Sequence, residues 1–342
     1  MADDTLARRL SAQLLSGEPA TDPVVVAERL LAIQGQDPRG ARLAIRARST
    51  GLASADVDRA LTDRSLLITW LNRGTLHLVR SEDYGWLHAL TTPQLFTANA
   101  TRLAQDGVSP AAADRGVATV ERALADEGPL TRTQLRERMD TAGVPTAGQA
   151  LVHVLLLATL RGLTVRGPML GREHAYVLVR DWLGEPARVD RDAALAELAR
   201  RFLAGHGPAD ERDLARWAGV TLRDARAGLT AIAQELVERG ELVDLASKPG
   251  PAALPPPRLL GSFDPLLHGW RSREPILGSH QGVVTSDGVF RPFALARGRA
   301  VATWRLAAGR VSIEPFAPLS RPVAAALECD AAEVERFLAV RP

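Results

Sequence analysis

Residues 32–40 read AIQGQDPRG, placing two glutamines, Gln34 and Gln36, one residue apart just where an apolar helix pattern stops. A carboxamide offers one acceptor oxygen and two N–H donors, and near neutral pH it is neither acid nor base. Two such groups can hold and orient a polar ligand or a water, but they cannot supply a proton. In a helix, positions i and i+2 diverge; in an extended segment they face the same way. Gly35 weakens a helix and Pro38 drives Asp37 out of the helical region, so the chain is expected to leave its helix at about Ile33 and aim both amides to one side. Asp37 then points away from both and is either a helper base or a structural cap. For any isolated Gln-x-Gln the default is a solvated loop after a helix.

The elements around this stretch follow a repeated pattern. In GPLTRTQLRERMDTAGVPTAGQALVHVLLLATLRG, Thr131 or Thr133 can cap a helix through Met139, and a long amphipathic helix ends at Gly162. The segment LTVRGPMLGREHAYVLV then alternates like a hairpin. This is the order of a winged helix, a helix-turn-helix followed by a β wing. A second copy has Asp210 capping a helix through Trp217, a turn at Gly219, and a long helix opened by Thr221 and running through Arg239. The N-terminal part fits more loosely, with TWLNRGTLHLV as its strand pair. Pro/Gly/Ala-rich residues 248–257 mark a boundary, beyond which strand signals with arginine-glycine turns precede a last helix. The expected class is mainly α with β: tandem winged-helix domains over 1–103, 104–185 and 186–247, and a C-terminal β-barrel-like domain over 258–342. Helix triplets with a hairpin also serve as plain interaction modules, so this shape alone does not establish a partner.

A chain of 342 residues suits two or three ordinary domains. No apolar stretch is long enough for a membrane span, and the acids in MADDTLARRL are unlike a signal peptide, so a cytoplasmic protein is expected. The single Cys329 and seven scattered histidines show no metal-site spacing, so neither metal nor disulfide is expected. Net charge is only +2, yet all but one of the 42 cations are arginine, an excess mostly attributable to GC-rich coding. The one lysine, Lys248, lies in a linker-like stretch, leaving a single candidate for any Schiff base.

The blocks LLAIQGQDPRGARLAIRARS, TWLNRGTLHLVRSEDYGWLHAL, LLGSFDPLLHGWRSRE and FRPFALARGRAVATWR resemble, in order, the bacterial winged-helix DNA glycosylases of the AlkZ/YcaQ-like family. The resemblance covers nearly the whole chain. It implies tandem winged helices and a β barrel around a DNA channel, no cofactor, and a catalytic glutamine, apolar residue, then glutamine or aspartate. The signature falls on Gln34 and Gln36, the branch associated with self-resistance to DNA-alkylating natural products. Gly35 stands where the family has an apolar residue, and the block near Ser272 lacks an expected aspartate.

The implied substrate is double-stranded DNA bearing cationic alkylpurines, above all bulky N7-alkylguanines and possible interstrand crosslinks. A purine already charged by alkylation leaves with little acid assistance. The site then has to stabilise an oxocarbenium-like sugar and position a water, as in glycoside hydrolysis. A neutral amide can do both. The implied enzyme is a monofunctional glycosylase, a monomer acting at the bacterial nucleoid. The rival is a non-catalytic winged-helix DNA-binding protein.

In that reading several cations contact DNA. Arg39, Arg42 and Arg46 recur at helix spacing and could grip phosphates, or form an ordinary exposed arginine face. Arg48 is less tied to this stripe. Arg73 and His77 sit on a strand pair whose turn could meet DNA, although a histidine held within a hairpin is the commoner outcome. Trp270, Arg271 and Arg273, beside His268, either enter a groove or pack the barrel against the third winged helix. The wing turn at 166–172 is a further candidate phosphate contact.

Overall fold

A computed structural model describes residues 2–185, 188–251, 253–280, 282–285 and 287–339. It is a mixed α and β structure of helices and open antiparallel sheets. Contacts divide it into two compact units, a discontinuous one of Met1–Val57 with Leu195–Pro342 and a continuous one of Asp58–Ala194.

Side-chain caps start several of the helices, Thr131 among them as the sequence places it. In the continuous unit, Ser109 opens Pro110–Glu127, and a reciprocal Thr131/Gln134 capping box opens Arg132–Thr141. Helix Ala150–Leu160 follows, with Gly162 at φ +73 closing its end. The hairpin Thr164–Leu170 and Glu173–Leu178 completes the expected order. It also pairs with the earlier hairpin Leu66–Leu71 and Thr75–Arg80 through Ile68 and Arg166, so four of this unit's strands form one antiparallel sheet. The boundary drawn at residue 103 therefore runs across elements that share a sheet. Local sequence signals each hairpin but not the edge that satisfies its outer backbone groups.

In the discontinuous unit, helix Arg191–His206 precedes Glu211–Ala218, which Asp210 caps and Gly219 ends in the left-handed region. Thr221 opens Leu222–Ala231, and here the expectation of a helix through Arg239 fails. After a 3-10 turn at Ala233–Glu235 the chain forms a hairpin, Leu236–Arg239 with Leu242–Leu245. Gly240 at φ +69 supplies its turn, and pairing across it outweighs the helical propensity of QELVERGEL.

The C-terminal strands Arg258–Leu260, Phe293–Ala296, Arg299–Ala307 and Arg310–Pro315 form an open four-stranded antiparallel sheet rather than a closed barrel among the described residues. Helix Arg321–Ala339 packs on it, burying Leu327, Val334 and Phe337. Lys248 is not a loose linker residue: its ammonium bonds Asp244 at 2.9 Å and the carbonyls of Leu203 and Gly207 at 3.2 and 3.1 Å. Burial lowers its pKa, opposed by the adjacent Asp244. Among the described residues no helix is long and apolar enough to cross a membrane.

Candidate functional site

The glutamine segment is built by a sharp stop in the preceding helix. Asp22 caps Pro23–Leu30, which ends three residues earlier than expected. Leu31, fully buried, takes φ 63 and ψ −48, and the Ala32 N–H donates to the Leu30 carbonyl at 2.7 Å. This is the strained γ-turn of positive φ, in which a leucine is uncommon. Chain direction is thereby reversed just before the extended pair Ile33–Gln34.

Helix Pro38–Arg46 begins immediately after Gln36 and is fixed at its start. The Asp37 carboxylate accepts the Arg39 N–H at 3.0 Å and the Ser262 hydroxyl at 2.9 Å, one on each oxygen. Asp37 is thus an N-cap tied to the C-terminal sheet, the second of its two expected roles. Gly40 and Gly261 let the two backbones meet: a Cβ at Gly40 would lie 2.4 Å from the Ser262 carbonyl oxygen, and one at Gly261 would lie 2.9 Å from Leu43 Cβ. The far end is held by Arg48, which is fully buried and satisfies all five N–H donors. Nε bonds the Gln13 carbonyl, Nη1 bonds the Ala44 carbonyl and Asp264, and Nη2 bonds the Gln13 side chain and Asp264, all at 2.8–2.9 Å.

Between these anchors, both glutamines keep their amides uncommitted. Gln36 is exposed and Gln34 is 7% exposed, and neither donates or accepts a side-chain hydrogen bond among the described residues. Neither amide atom of Gln34 is among the sealed, unpartnered groups, so its tip reaches an opening while its stem is buried. Such a pair is held by the backbone and free at its polar ends, the condition for binding a ligand without first breaking internal bonds.

The arginine stripe divides. Arg39 is exposed and has no side-chain partner among the described residues. Arg42, 7% exposed, turns back to donate to the Pro38 carbonyl at 2.8 Å. Arg46 binds Asp330 through both carboxylate oxygens at 2.9 and 3.0 Å and the Leu259 carbonyl at 2.8 Å. The phosphate contacts expected of Arg42 and Arg46 are corrected accordingly: their face of the helix packs inward, and the guanidinium groups complete internal bonds.

In the continuous unit, Arg73 is exposed on the tight turn between Leu66–Leu71 and Thr75–Arg80. His77 is 3% exposed, with Nδ1 2.9 Å from the Thr75 carbonyl. Burial pushes its pKa down to about 3, reinforced by the Arg73 charge and opposed by the Thr75 bond. A neutral, inward histidine replaces the expected DNA contact. Arg166 lies over the rings of Trp70 and Tyr176 at 4.7 and 4.9 Å, while Arg172 is exposed at the hairpin turn.

The second cluster also resolves into packing. Trp270, 4% exposed, donates to the His206 carbonyl at 2.9 Å and lies under Arg9 at 4.5 Å, so its expected groove contact gives way to packing against helix Arg191–His206. Arg271 reaches Asp210 at 2.9 Å and Asp213 at 3.4 Å, with nearly half its side chain exposed. Arg273 donates to the Leu267 carbonyl at 2.7 Å and covers Phe290 at 4.9 Å; burial lowers its pKa, as does Arg216. The anchors missed in the sequence are Arg48, Asp264, Ser262, Asp330 and the Gly40/Gly261 contact. Their only local sign was the pairing of small and charged residues in PRGARLAIRARS and LLGSFDP. Among the described residues no group of three or more His, Cys, Asp or Glu could hold a metal.

Similarity to known proteins runs along nearly the whole chain. The family profile described as DNA glycosylase AlkZ-like matches residues 27–337. An interstrand DNA cross-link repair glycosylase of Streptomyces sahachiroi is 28% identical, over 96% of this chain and 94% of its own length. The solved structure of Streptomyces sahachiroi DNA glycosylase AlkZ superposes with a TM-score of 0.80 at 25% identity, covering 99% of this chain and 96% of that one. With its glutamine segment anchored at both sides and a family match spanning all but its extreme ends, the chain belongs to the AlkZ-like DNA glycosylase family.

Proposed function

We propose that this protein hydrolyses the N-glycosidic bond of cationic, bulky alkylpurines in double-stranded DNA, N7-alkylguanine above all. The name of the Streptomyces sahachiroi relative extends this to interstrand cross-links. The observation that carries the reading is the pair of uncommitted carboxamides, Gln34 and Gln36, on a segment fixed by its neighbours.

The chemistry balances without a protein acid. Alkylation places a positive charge on the purine; the C1′–N9 bond breaks with its electron pair going to the base, which leaves neutral. The sugar becomes oxocarbenium-like. A water held by a glutamine oxygen adds to C1′, and its proton passes to solvent, leaving an abasic sugar. Preorganised amide dipoles facing the cationic sugar stabilise it where charge develops. Asp37 acts through the backbone, as a cap. Lys248, bonded to three acceptors, is unsuited to attack C1′, in keeping with a hydrolytic rather than a lyase step. In this reading the two helix triplets with hairpins are winged-helix modules that grip the duplex, Arg39 and Arg73 contact phosphate, and the protein works as a monomer at the nucleoid.

The test is release of free base from a duplex containing one N7-alkylguanine. Gln34→Ala and Gln36→Ala are each expected to slow release about a hundredfold or more, the cost of removing one preorganised polar group, with duplex affinity nearly unchanged. A non-catalytic DNA-binding protein predicts instead no release by the wild type and no effect of either substitution.

A further inference from the structure

Phe263 lies one residue from Ser262, whose hydroxyl binds Asp37, the residue next to Gln36. Its backbone takes φ +55, a conformation a bulky side chain rarely adopts. Outliers of this kind persist where the surrounding structure imposes them, and they cluster at ligand-binding positions. Its ring is half-buried, stacked on His268 at 6.2 Å and 13°, with Phe290 at 5.4 Å completing the cluster. His268 and Phe290 ring centroids are themselves 4.3 Å apart, and Arg273 lies over the Phe290 ring at 4.9 Å. The strained turn therefore holds an aromatic ring, clustered with two others, next to the residue whose hydroxyl ties down Asp37.

We propose that Phe263 is a substrate-binding residue whose ring stacks on a planar aromatic group of the lesion. This inference rests on the glycosylase reading and names the recognition element of the same site. The purine and an aromatic adduct share the chemistry that would be recognised, a flat π-face. Stacking holds that group in place while the glycosidic bond breaks, and it accepts any base or adduct of that shape.

The test reads binding without turnover. A duplex carrying 7-methylguanine on a 2′-fluoro sugar resists hydrolysis, and a second duplex carries N7-benzylguanine on the same sugar. The wild type is expected to prefer each over the unmodified duplex. Glycine adopts φ +55 without strain, so Phe263→Gly removes the ring and keeps the turn. Phe263→Leu keeps the bulk and removes the π-face, so it covers any failure of the glycine variant to fold. Both should lower the preference roughly ten- to hundredfold, as expected for one base stacked on one aromatic side chain, and Phe263→Tyr should restore it. Loss on both duplexes assigns the purine as the stacked group, and loss on the benzyl duplex alone assigns the adduct. Unchanged preference in the glycine and leucine variants, or a wild type with no preference, overturns the proposal. A Phe263-dependent preference without base release would overturn the hydrolysis and leave this contact standing.

Discussion

Asp37 shows how one side chain separates two mechanisms. Both its oxygens are occupied, by the Arg39 amide and the Ser262 hydroxyl. Asparagine is as good an N-cap as aspartate. Asp37→Asn should therefore keep base release within a few-fold of wild type and stability within about 1 kcal/mol, read by single-turnover kinetics and urea unfolding. A general base would lose nearly all activity on the same change. Arg48 illustrates the opposite case. Buried with every donor satisfied, it shares both carboxylate oxygens with Asp264. Such a pair says little about net stability, yet it fixes one register, since removing either partner strands a buried charge.

The element that matters most is helix Pro38–Arg46, whose position sets where Gln36 emerges. It lies against Gly261 and Ser262 so closely that no side chain fits at Gly40. In Gly40→Ala the added carbon would sit 2.4 Å from a backbone oxygen, so the helix or the 261–262 segment has to move. We expect a loss of about 1–3 kcal/mol in unfolding free energy, together with at least a tenfold fall in base release. Duplex affinity should change much less, because Arg39 and Arg73 remain exposed. Equal loss of affinity and rate would place the helix in DNA grip rather than in aiming the glutamines.

Across the whole molecule, each compact unit encloses a neutral histidine, His77 in one and His206 in the other, both pushed down to about 3 chiefly by burial. An unfolded histidine takes up its proton near pH 6.5. Between there and about 3 the unfolded state therefore binds protons that the folded state refuses, so stability falls as pH falls. The contribution is complete above pH 6.5. Denaturant unfolding followed from pH 7.5 to 5, where carboxylates stay mostly ionised, should show a falling midpoint. His77→Asn should flatten that fall, since it removes one group whose protonation differs between the folded and unfolded states.

How much was legible follows from the range of each interaction. Capping residues such as Thr131, Asp210 and Thr221 act within one turn, so their helices start where the sequence says. Gly35 and Pro38 signalled an extended segment here, but the helix stops earlier than they require, at Leu31 with φ 63. By contrast, the fates of Arg46 and Arg48 were set by partners far along the chain, Asp330 and Asp264, as was that of Trp270 by the His206 carbonyl. The premature end of helix Leu222–Ala231 had the same origin, since strand pairing is non-local.

The sequence by itself determined which residues could do chemistry, because the carboxamides, the breaks around them and the family signature are properties of neighbours. Only the tertiary structure decided which charged groups remain available. A guanidinium looks the same in sequence whether it meets a phosphate or a buried carboxylate, and the choice depends on what the fold brings within 3 Å of it.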